Sequence, residues 1–478
     1  MVKKSETWFL GLILIFYLAI TLFLSWLKPF WFDEIFTFQL SQLSFYELFA
    51  TLGPMDPHPP LNKLIVSISQ ELFGTTKFAT RLPAVIFFGT TLIIVYLICK
   101  KLAGSKAAMI SPILLMISVG QPYSYEARPY SLVIMLSSML IYLWLKTPSS
   151  NLWTYSLITL VTVALLSSHF YAVFIPMTIL FGSFIGYLTR KYLDAKLWIS
   201  ILISYTVLIV YAPAIHRITI LDDNNWTSPT PYLLYQAVRS IYMPFVIVLI
   251  PSVINWKKCT GALKTFFEQK TQFASGIFAF SMLVLIGYFI SFFLGAYHTR
   301  YFIGALIACT IVGSLIMSDF SRKQLKISII LIGLVFSYKI YSQINHHITT
   351  NTSINELNIL LSKKQAGAPI FISDPLCFFQ VLLDKTDKEK QDIQYLINFT
   401  PEGGYKRVGA SDISTFELSK LNPGIIVKDL NEIGKIETTV HYLFCGRPFS
   451  YSMKNLQTIR EFETISRQGK KILMVSEK

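Results

Sequence analysis

The fold class is decided by residues 8–34, WFLGLILIFYLAITLFLSWLKPFWFDE, in which an apolar segment is followed at once by the carboxylates of Asp33 and Glu34. The apolar part, residues 8–28, has the length that an α-helix needs to cross a bilayer. A signal peptide is the alternative, because the segment has a basic start and an apolar middle. Bulky residues stand where small cleavage-site residues belong, so we predict a retained membrane helix.

The whole chain has the composition of a polytopic membrane protein. Of its 478 residues, 53% are hydrophobic and only 14% are charged, which is too apolar for an ordinary soluble domain. Lys and Arg in cytoplasmic loops and beside anionic lipid headgroups explain the formal net charge of +15. We expect no nucleic-acid partner, since no basic segment has the interleaved aromatic or helical pattern of such proteins.

Apolar segments of bilayer length recur along residues 1–344. Residues 61–73 are ambiguous, because this run is short and contains Asn62, Lys63 and Glu71, which favours a helix lying in the membrane interface. We therefore predict a polytopic α-helical protein with about eleven transmembrane helices. They are placed near residues 8–28, 82–99, 105–120, 128–146, 152–168, 170–189, 196–213, 241–255, 275–296, 301–318 and 326–344.

The distribution of basic residues supports this topology. If residues 61–73 do not cross, the basic clusters all fall on one side, which the positive-inside rule makes the cytoplasm. The loops that hold the acidic and histidine clusters then share the opposite face. We expect a multi-pass protein of the inner or plasma membrane with a cytoplasmic N-terminus. The basic clusters are Lys3-Lys4, Lys100-Lys101 with Lys106, Lys146, Arg190-Lys191 with Lys196, Lys257-Lys258 with Lys264, and Arg322-Lys323 with Lys326.

Beyond about residue 345 the composition becomes charged and polar, with short apolar runs between loop signals. Residues 345–478 therefore predict a small α/β domain, and an odd number of spans from an inside N-terminus makes it extracytoplasmic. There Cys377 and Cys445 form either a disulfide or two unpaired buried thiols. The five cysteines show no metal-ligand spacing. The β-type runs are Pro369–Ile372, Gly424–Val427 and Ile472–Val475.

Two polar clusters lie in the predicted first outer loop. Asp33 and Glu34 follow the first span, where a partly desolvated carboxylate can accept a proton from a hydroxyl or amine. The N-cap of the next helix is the competing interpretation for Asp33. Asp56 and His58 stand in the prolyl segment DPHPPL. Its fixed backbone either holds both side chains toward a site or simply starts a helix.

Two further clusters lie at the entries of later helices. The segment YSYEARPY places Glu126 and Arg128 two residues apart. An arginine there can bind a phosphate through two hydrogen bonds, whereas an ion pair within an aromatic belt is the plainer alternative. His298, Arg300 and Tyr301 repeat this combination further along the chain. No single cluster decides between these alternatives.

Taken in order, the clusters resemble the GT-C glycosyltransferases that use polyprenyl-phosphate sugars. The relatives are the bacterial dolichyl-phosphate-mannose-protein mannosyltransferase-like family, which includes the aminoarabinose transferase of lipid A and the protein O-mannosyltransferases. The resemblance covers roughly residues 8–320 and implies a GT-C fold with interfacial helices in the first outer loop, residues 29–81. The matching features are Asp33-Glu34, His58-Pro59-Pro60-Leu61, Phe73-Gly74 followed by Arg81-Leu82-Pro83, Tyr123-Ser124-Tyr125-Glu126-Ala127-Arg128, Ser168-His169-Phe170-Tyr171 and Arg300-Tyr301.

The resemblance implies transfer of a sugar from a lipid phosphate on the outer membrane face, with inversion at the anomeric carbon. In such families the Asp of the first-loop acidic pair is the essential acidic residue, so Asp33 is expected to activate the acceptor, with Glu34 and Asp56 in support. Fixed cations stabilise the charge of a departing phosphate. The residues expected at the substrates are Asp56, His58, Lys63, Arg81, Tyr125, Glu126, Arg128, His169, His298, Arg300 and Tyr301.

The chain departs from the family pattern at two positions. Tyr125 stands where the family often has Gln, and Pro129 follows Arg128 where a small or aromatic residue is common. Both changes leave the carboxylate and the arginine in place, so they bear on the substrate more than on the reaction. We expect no obligatory metal; activity that EDTA abolishes and manganese or magnesium restores would contradict this. The acceptor is a glycolipid, a polysaccharide or a protein.

Two other functions compete with transfer. A flippase or carrier for a polyprenyl-linked saccharide also needs outer-face Arg and His around a phosphate, but it should show ionisable residues near the midplane and repeated halves. This chain keeps its charges at the span ends. A membrane anchor for a working C-terminal domain would leave the first-loop cluster without a purpose. If that domain selects the acceptor, its removal is expected to spare donor hydrolysis and reduce transfer.

Overall fold

The computed structural model describes residues 4–50, 58–147, 151–221, 228–255, 260–294, 297–364, 367–383, 385, 387–397, 410–429, 439–444, 463–468 and 471–476. Helices dominate up to residue 361, and a six-stranded sheet follows. The helices are α1 (Lys4–Leu27), α2 (Phe32–Leu40), α3 (Phe45–Ala50), α4 (Leu61–Phe73), α5 (Lys77–Ile117), α6 (Tyr130–Trp144), α7 (Leu152–Leu166), α8 (Phe174–Arg190), α9 (Ala195–Ser204), α10 (Val207–Leu221), α11 (Pro231–Leu249), α12 (Gly261–Gln269), α13 (Thr271–Ser281), α14 (Leu283–Leu294), α15 (Ala305–Ser318), α16 (Arg322–Leu361), α17 (Pro375–Leu383), α18 (Asp387–Lys390) and α19 (Ala410–Leu421). Short 3₁₀ turns occupy Gln121–Tyr125, Phe170–Val173, Ile250–Asn255 and Thr299–Phe302.

The helical part is that of a multi-pass membrane protein. In the described part of the chain, six helical stretches are long and apolar enough to cross a membrane, or seven if the bent pair α13 and α14 is one span. Three further apolar helices, α6, α7 and α15, are only 14 or 15 residues long. Helix length alone therefore does not fix the number of crossings.

Helix α5 contains two of the predicted spans. It is 41 residues long, but Gly104 has φ 80° and ψ −169° and interrupts the helical backbone. Glycine adopts this conformation without the steric penalty that other residues meet. The break at Gly104 lies between residues 82–99 and residues 105–120, the two segments predicted as spans.

Helix α4 has the properties expected of an interfacial helix. Its 13 residues extend for about 20 Å, well short of the hydrocarbon thickness of about 30 Å. The polar side chains face inward: Ser69 Oγ donates to the carbonyl of Ala79 at 2.6 Å, and Gln70 Nε2 donates to Thr80 Oγ1 at 3.0 Å. The apolar side chain of Leu72 is 70% exposed, as it would be on a lipid-facing surface.

Small residues bring helices α8 and α13 into backbone contact. A Cβ added at Gly182 would lie 2.4 Å from the carbonyl oxygen of Gln272, and one at Gly276 would lie 2.5 Å from the ring of Trp144. Side chains at these positions would push the helices apart. Such small-residue contacts are the usual means of packing helices where the hydrophobic effect between them is weak.

The C-terminal sheet has the strand order β3-β2-β1-β4-β6-β5. Strands β1 to β4 are parallel to one another, whereas β6 pairs antiparallel with β4 and β5. Cys377 in α17 is disulfide-bonded, and Cys445, its candidate partner from the sequence, lies outside the described residues. The strands are β1 (Ile370–Ile372), β2 (Ile393–Ile397), β3 (Ile426–Asp429), β4 (Val440–Phe444), β5 (Glu463–Gln468) and β6 (Lys471–Ser476), and β1, β3 and β6 lie on the three apolar runs predicted as strands.

Helix α2 shares a hydrophobic core with the sheet region. Ile35, Phe36 and Leu40 are buried in one cluster with Phe378 and Phe379 of α17. The rings of Phe36 and Phe379 meet edge to face with centroids 5.4 Å apart. The apolar face of α2 is therefore covered by protein. This packing holds α2 against the C-terminal region.

Candidate active site

The N-terminus of α2 presents two adjacent carboxylates. The helix begins at Phe32, and its N-cap is Trp31, whose side chain makes no capping hydrogen bond. Asp33 therefore lies within the first turn, and its interpretation as the N-cap is wrong. Successive residues are about 100° apart around a helix axis, so Asp33 and Glu34 enter different surroundings.

Asp33 lies between two guanidinium groups. Its Oδ2 is 3.0 Å from Arg300 Nη1 and 3.6 Å from Arg128 Nη2. Arg300 is supplied by the 3₁₀ turn before α15, and Arg128 by the segment that enters α6. The Asp33 side chain is 19% exposed, whereas the two arginine side chains are 5% and 11% exposed. A partly accessible carboxylate thus meets two fixed cations.

Glu34 occupies a closed cluster instead. Arg81 binds it through two hydrogen bonds, Nε to Oε1 at 2.8 Å and Nη2 to Oε2 at 2.9 Å. The remaining Arg81 contacts are the carbonyls of Ser25, Lys28 and Pro29. Both side chains are essentially inaccessible. Because all these donors are used inside the protein, we infer that Arg81 and Glu34 join α1, α2 and α5, and the roles at the substrate expected of them from the sequence stay predictions.

Lys28 connects this cluster to Glu126. Its Nζ is 3.1 Å from Glu34 Oε2 and 2.6 Å from Glu126 Oε1. Burial alone would raise the pKa of Glu34, but Arg81 and Lys28 outweigh that effect and lower it to about 2. Burial raises the pKa of Glu126 against the influence of Lys28, and the carboxylate of Glu34 adds to the rise. Glu126 Oε2 is buried and has no hydrogen-bond partner in the described part of the chain.

Arg128 also contacts His58, the first of a series of neighbouring aromatic rings. His58 Nδ1 is 3.3 Å from Arg128 Nη2, and the His58 ring lies 5.0 Å from that of His169. Tyr301 follows, with its ring 5.4 Å from His169 and stacked at 4.6 Å on Tyr171. The structure thereby brings residues of four separate sequence clusters together beside Asp33.

Arg300 has a second set of neighbours. Its guanidinium carbon is 5.8 Å from the ring centre of Trp31 and 5.9 Å from that of Tyr130. Trp31 Nε1 and Tyr130 Oη are buried polar atoms without a hydrogen-bond partner among the described residues. Two arginines against one aspartate leave a net positive charge, and these two groups offer further donors. This combination suits an anion such as a phosphate group.

His298 fixes the backbone of Arg300. Its Nδ1 accepts a hydrogen bond from the Arg300 amide at 3.3 Å, which caps the 3₁₀ turn. Burial and the nearby positive charge of Arg300 lower the pKa of His298 to about 4, although Asp33 opposes the shift. The imidazole is therefore neutral at physiological pH, and its contact orients Arg300.

The remaining predicted residues make other contacts or lie outside the described part. Lys63 is buried, and its Nζ donates to the carbonyl of His58 at 3.0 Å. Tyr125 is buried and donates to Gln343 Oε1 at 2.9 Å. Asp56 lies outside the described residues. In the described part, no group of three or more His, Cys, Asp or Glu side chains is arranged to hold a metal ion.

Sequence reasoning missed Lys28, Trp31 and Tyr130 as members of the site. All three lie within or next to segments that the sequence analysis selected. Lysine, tryptophan and tyrosine are common near the ends of membrane helices, so their residue types alone did not indicate a role in the site. Their roles depend on contacts with residues far along the chain, such as Lys28 with Glu126, 98 positions away.

Comparison with known proteins finds a family model that matches part of the chain and solved structures with a similar fold. Residues 57–216 match the family model described as dolichyl-phosphate-mannose-protein mannosyltransferase. The structure superposes on ArnT from Cupriavidus metallidurans in the apo state with a TM-score of 0.66 at 11% identity, covering 99% of this chain and 98% of that one. No curated protein matches the chain significantly in sequence. The chain therefore has the fold of ArnT, and a third of it matches the model of a glycosyltransferase family.

Two further solved structures share the GT-C fold. ArnT from Cupriavidus metallidurans bound to undecaprenyl phosphate gives a TM-score of 0.62 at 11% identity, over 96% of this chain and 97% of that one. The oligosaccharyltransferase from Archaeoglobus fulgidus in the apo form gives 0.52 at 11% identity, over 79% and 63%. The family-model match includes His58, Arg128 and His169, whereas Asp33 and Arg300 lie outside it. Only the folded structure unites the two groups.

Proposed function

We propose that this GT-C protein transfers a sugar from a polyprenyl-phosphate-linked donor to an acceptor on the extracytoplasmic face, with inversion at the anomeric carbon. The observation that carries the proposal is the position of Asp33, a partly exposed carboxylate between Arg128 and Arg300. A base beside an anion site is what transfer from a phosphate leaving group requires. The fold shared with ArnT bound to undecaprenyl phosphate supports a lipid phosphate as the donor class.

The reaction is a single displacement. The acceptor hydroxyl or amine attacks the anomeric carbon on the face opposite the phosphate, and the bond between that carbon and the phosphate oxygen breaks. Asp33 takes the acceptor proton. The polyprenyl phosphate leaves with the bonding electrons, and Arg128 and Arg300 stabilise its added charge. Because phosphate is a fair leaving group, positioning and charge compensation supply most of the acceleration.

Because Asp33 is paired with two arginines, the donor has a second role, which is to free Asp33 from these ion pairs. A carboxylate bound by two guanidinium groups is a poor base. The donor phosphodiester competes for the same guanidinium groups through its two non-bridging oxygens, and the phosphate gains a second negative charge as it leaves. Donor binding would therefore release Asp33 to accept a proton. This exchange makes base activation depend on the presence of the donor and limits reaction of an acceptor in its absence.

We also propose the membrane topology that the charge pattern predicted. Eleven crossings result if α5 crosses twice about Gly104, α6, α7 and α15 each cross once, and α13 with α14 form one span. The N-terminus is then cytoplasmic and the sheet is extracytoplasmic. The disulfide at Cys377 supports this orientation, since disulfides persist in oxidising compartments.

Residues 345–478 are proposed as a separate extracytoplasmic unit, although the boundary at residue 344 lies inside the continuous helix α16. These residues share a hydrophobic core with α2, and this changes the expected result of deleting them. Deletion would expose Ile35, Phe36 and Leu40 to solvent and so displace Asp33, which lies on the same helix. We therefore expect deletion to abolish donor hydrolysis together with transfer, which replaces the expectation that hydrolysis is spared.

The test is release of free polyprenyl phosphate from a panel of polyprenyl-phosphate sugars by the full-length protein in lipid nanodiscs. A membrane extract provides candidate glycolipid, polysaccharide and protein acceptors, and Asp33→Asn is the paired variant. Release from one donor that is lost in the folded variant supports the proposal. No release from any donor, with labelled lipid-linked sugar moving between leaflets in both proteins, would indicate a carrier instead.

A further inference from the structure

A row of polar residues runs along the outer half of α16. Lys339, Gln343, His347 and Asn351 recur at every fourth position and so lie on one face of the helix. The surrounding surface is apolar and exposed; Tyr338 and Tyr341, for example, are 75% and 68% exposed. A polar row on such a helix is costly unless its hydrogen bonds are made within the protein.

Each member of the row contacts the segment between α5 and α6 or the end of α1. Lys339 Nζ donates to the Ser118 carbonyl, and Asn351 Nδ2 donates to the Leu27 carbonyl at 2.8 Å. Gln343 uses both ends of its amide: Nε2 donates to Gln121 Oε1 at 2.8 Å, and Oε1 accepts from Tyr125 Oη at 2.9 Å.

His347 completes the enclosure of Tyr125. Its Nε2 is 3.4 Å from Tyr125 Oη, and its ring meets the tyrosine ring edge to face at 6.0 Å. Lys28 Nζ also lies over the Tyr125 ring, 5.7 Å from its centre. Tyr125 is thus enclosed by its neighbours and is 1% exposed.

The three residues that follow Tyr125 contact the surroundings of both Glu34 and Asp33. Glu126 binds Lys28, the amide of Ala127 donates to Glu34 Oε1 at 3.0 Å, and Arg128 reaches Asp33. Glu126, Ala127 and Arg128 have little regular structure of their own, since they lie between a 3₁₀ turn and α6. Their placement depends on side-chain anchors at Tyr125 and at Glu34.

We propose that Gln343 and His347 are positioning residues that hold Tyr125 and thereby set Arg128 against Asp33. The inference rests on the proposed transferase function, because Arg128 is the group whose placement it explains. It also gives the departure from the family pattern at Tyr125 a physical reason: a phenol at this position reaches Gln343 of α16. Through α16, whose end packs in the core under the sheet, the site is coupled to the C-terminal region.

A matched pair of variants tests the role of Gln343. In Gln343→Leu both hydrogen bonds are lost. In Gln343→Glu the carboxylate still accepts from Tyr125, and its second oxygen can accept from Gln121 Nε2, which has no hydrogen-bond partner among the described residues. Asn345→Leu, an amide-to-leucine change at an exposed position two residues away, is the control on the same helix.

We expect Gln343→Leu and Tyr125→Phe each to raise the donor KM about tenfold with a smaller change in kcat, because Arg128 serves donor binding. The double variant of Gln343→Leu with Tyr125→Phe should also raise the donor KM about tenfold rather than about a hundredfold. Both substitutions break the same hydrogen bond, that between Tyr125 and Gln343. Gln343→Glu should stay within about threefold of the wild type. An additive double variant, or a glutamate variant as impaired as the leucine variant, would overturn the proposal.

Hydrogen exchange separates this inference from the transferase proposal. In the full-length protein in nanodiscs, amides of residues 126–128 should exchange faster in Gln343→Leu and Tyr125→Phe, and at the wild-type rate in Gln343→Glu and Asn345→Leu. This readout needs no substrate. If the wild type cleaves no donor but the variants show the expected differences in hydrogen exchange, the transferase proposal fails, whereas the proposal that Gln343 and His347 position Tyr125 stands. Unchanged exchange in all variants would reject the positioning role itself.

Discussion

Asp33 and Glu34 are neighbours in sequence, yet they belong to two different electrostatic environments. Asp33 is partly exposed and meets Arg128 and Arg300 across a cleft lined with aromatic rings. Glu34 is fully buried and is held by Arg81, Lys28 and a backbone amide. The difference teaches that an acidic pair need not act as a pair: one carboxylate is available for chemistry, and the other holds the helix that presents it.

The largest expected effect separates activity from stability at Asp33. Asp33→Asn should lower the transfer rate about 10³-fold, equivalent to about 4 kcal/mol, because it removes the proton acceptor. It should leave undecaprenyl phosphate binding equal or tighter, since Arg128 and Arg300 lose their competing carboxylate. Single-turnover transfer and lipid-binding measurements in nanodiscs check both points. Weaker phosphate binding in this variant would contradict the exchange of partners proposed for the arginines.

Glu34→Gln should act mainly on stability. It leaves the buried Arg81 without its counterion, and breaking such a pair costs about 3 kcal/mol or more. Thermal unfolding followed by fluorescence-detected size exclusion measures the loss. The double variant Glu34→Leu with Arg81→Met is the control and should be more stable than the single variant, because it buries no uncompensated charge. A stable but inactive Glu34→Gln would instead make Glu34 a catalytic residue.

A smaller effect distinguishes the arginines of the two environments. Arg128→Lys and Arg300→Lys should each weaken donor binding about 10- to 100-fold, or about 2 kcal/mol, because an ammonium cannot reproduce the fork of a guanidinium. Their melting temperatures should stay near that of the wild type. Arg81→Lys is the matched comparison and should lower the melting temperature. Equal effects of all three substitutions on stability would remove the distinction between the two environments.

The smallest effect is a difference in pH dependence. The pKa of His298 is about 4 in the folded protein against 6.5 ordinarily, so its contribution to stability is present above pH 6.5 and is lost as pH falls toward 4. For Glu34 the corresponding loss lies between pH 4.5 and 2. The loss measured from pH 7 to 4.5 should therefore be about 1 kcal/mol smaller in His298→Gln than in the wild type and unchanged in Glu34→Gln. His347, whose pKa burial also lowers to about 4, contributes a further loss in both variants. A loss of the same size in His298→Gln would assign it to another group.

The sequence predicted the elements better than it predicted their contacts. The positions of the apolar helices, the short helix Leu61–Phe73 and three strands follow from segment length and hydrophobicity, which are local properties. The proximity of Arg128 and Arg300 to Asp33 was expected only through the resemblance. The pairing of Arg81 with Glu34 was not expected, because a motif does not state which of two adjacent carboxylates a distant arginine will meet.

Two contacts were not predicted, for the same physical reason. The face of α2 with Ile35 and Phe36 packs in the core of the sheet region, and an apolar face at a membrane surface looks the same whether lipid or protein covers it. Tyr125 donates to Gln343, which is 218 positions away. Both contacts depend on how α16 and the sheet are placed relative to α2 and the segment before α6, and that placement has no local sequence signal.

Helix α16 gives the molecule a fixed spacer between its two ends. Its 40 residues amount to about 60 Å, roughly twice the hydrocarbon thickness, so half of the helix stands clear of the membrane core. One inserted residue would lift the sheet by about 1.5 Å and turn it by about 100° relative to the bundle. Seven residues would nearly restore the angle but add about 10 Å of height. The number of residues in α16 thus sets how far the C-terminal region lies from the helical bundle and how it is rotated about the helix axis. Loops elsewhere in the chain can change length far more freely than α16.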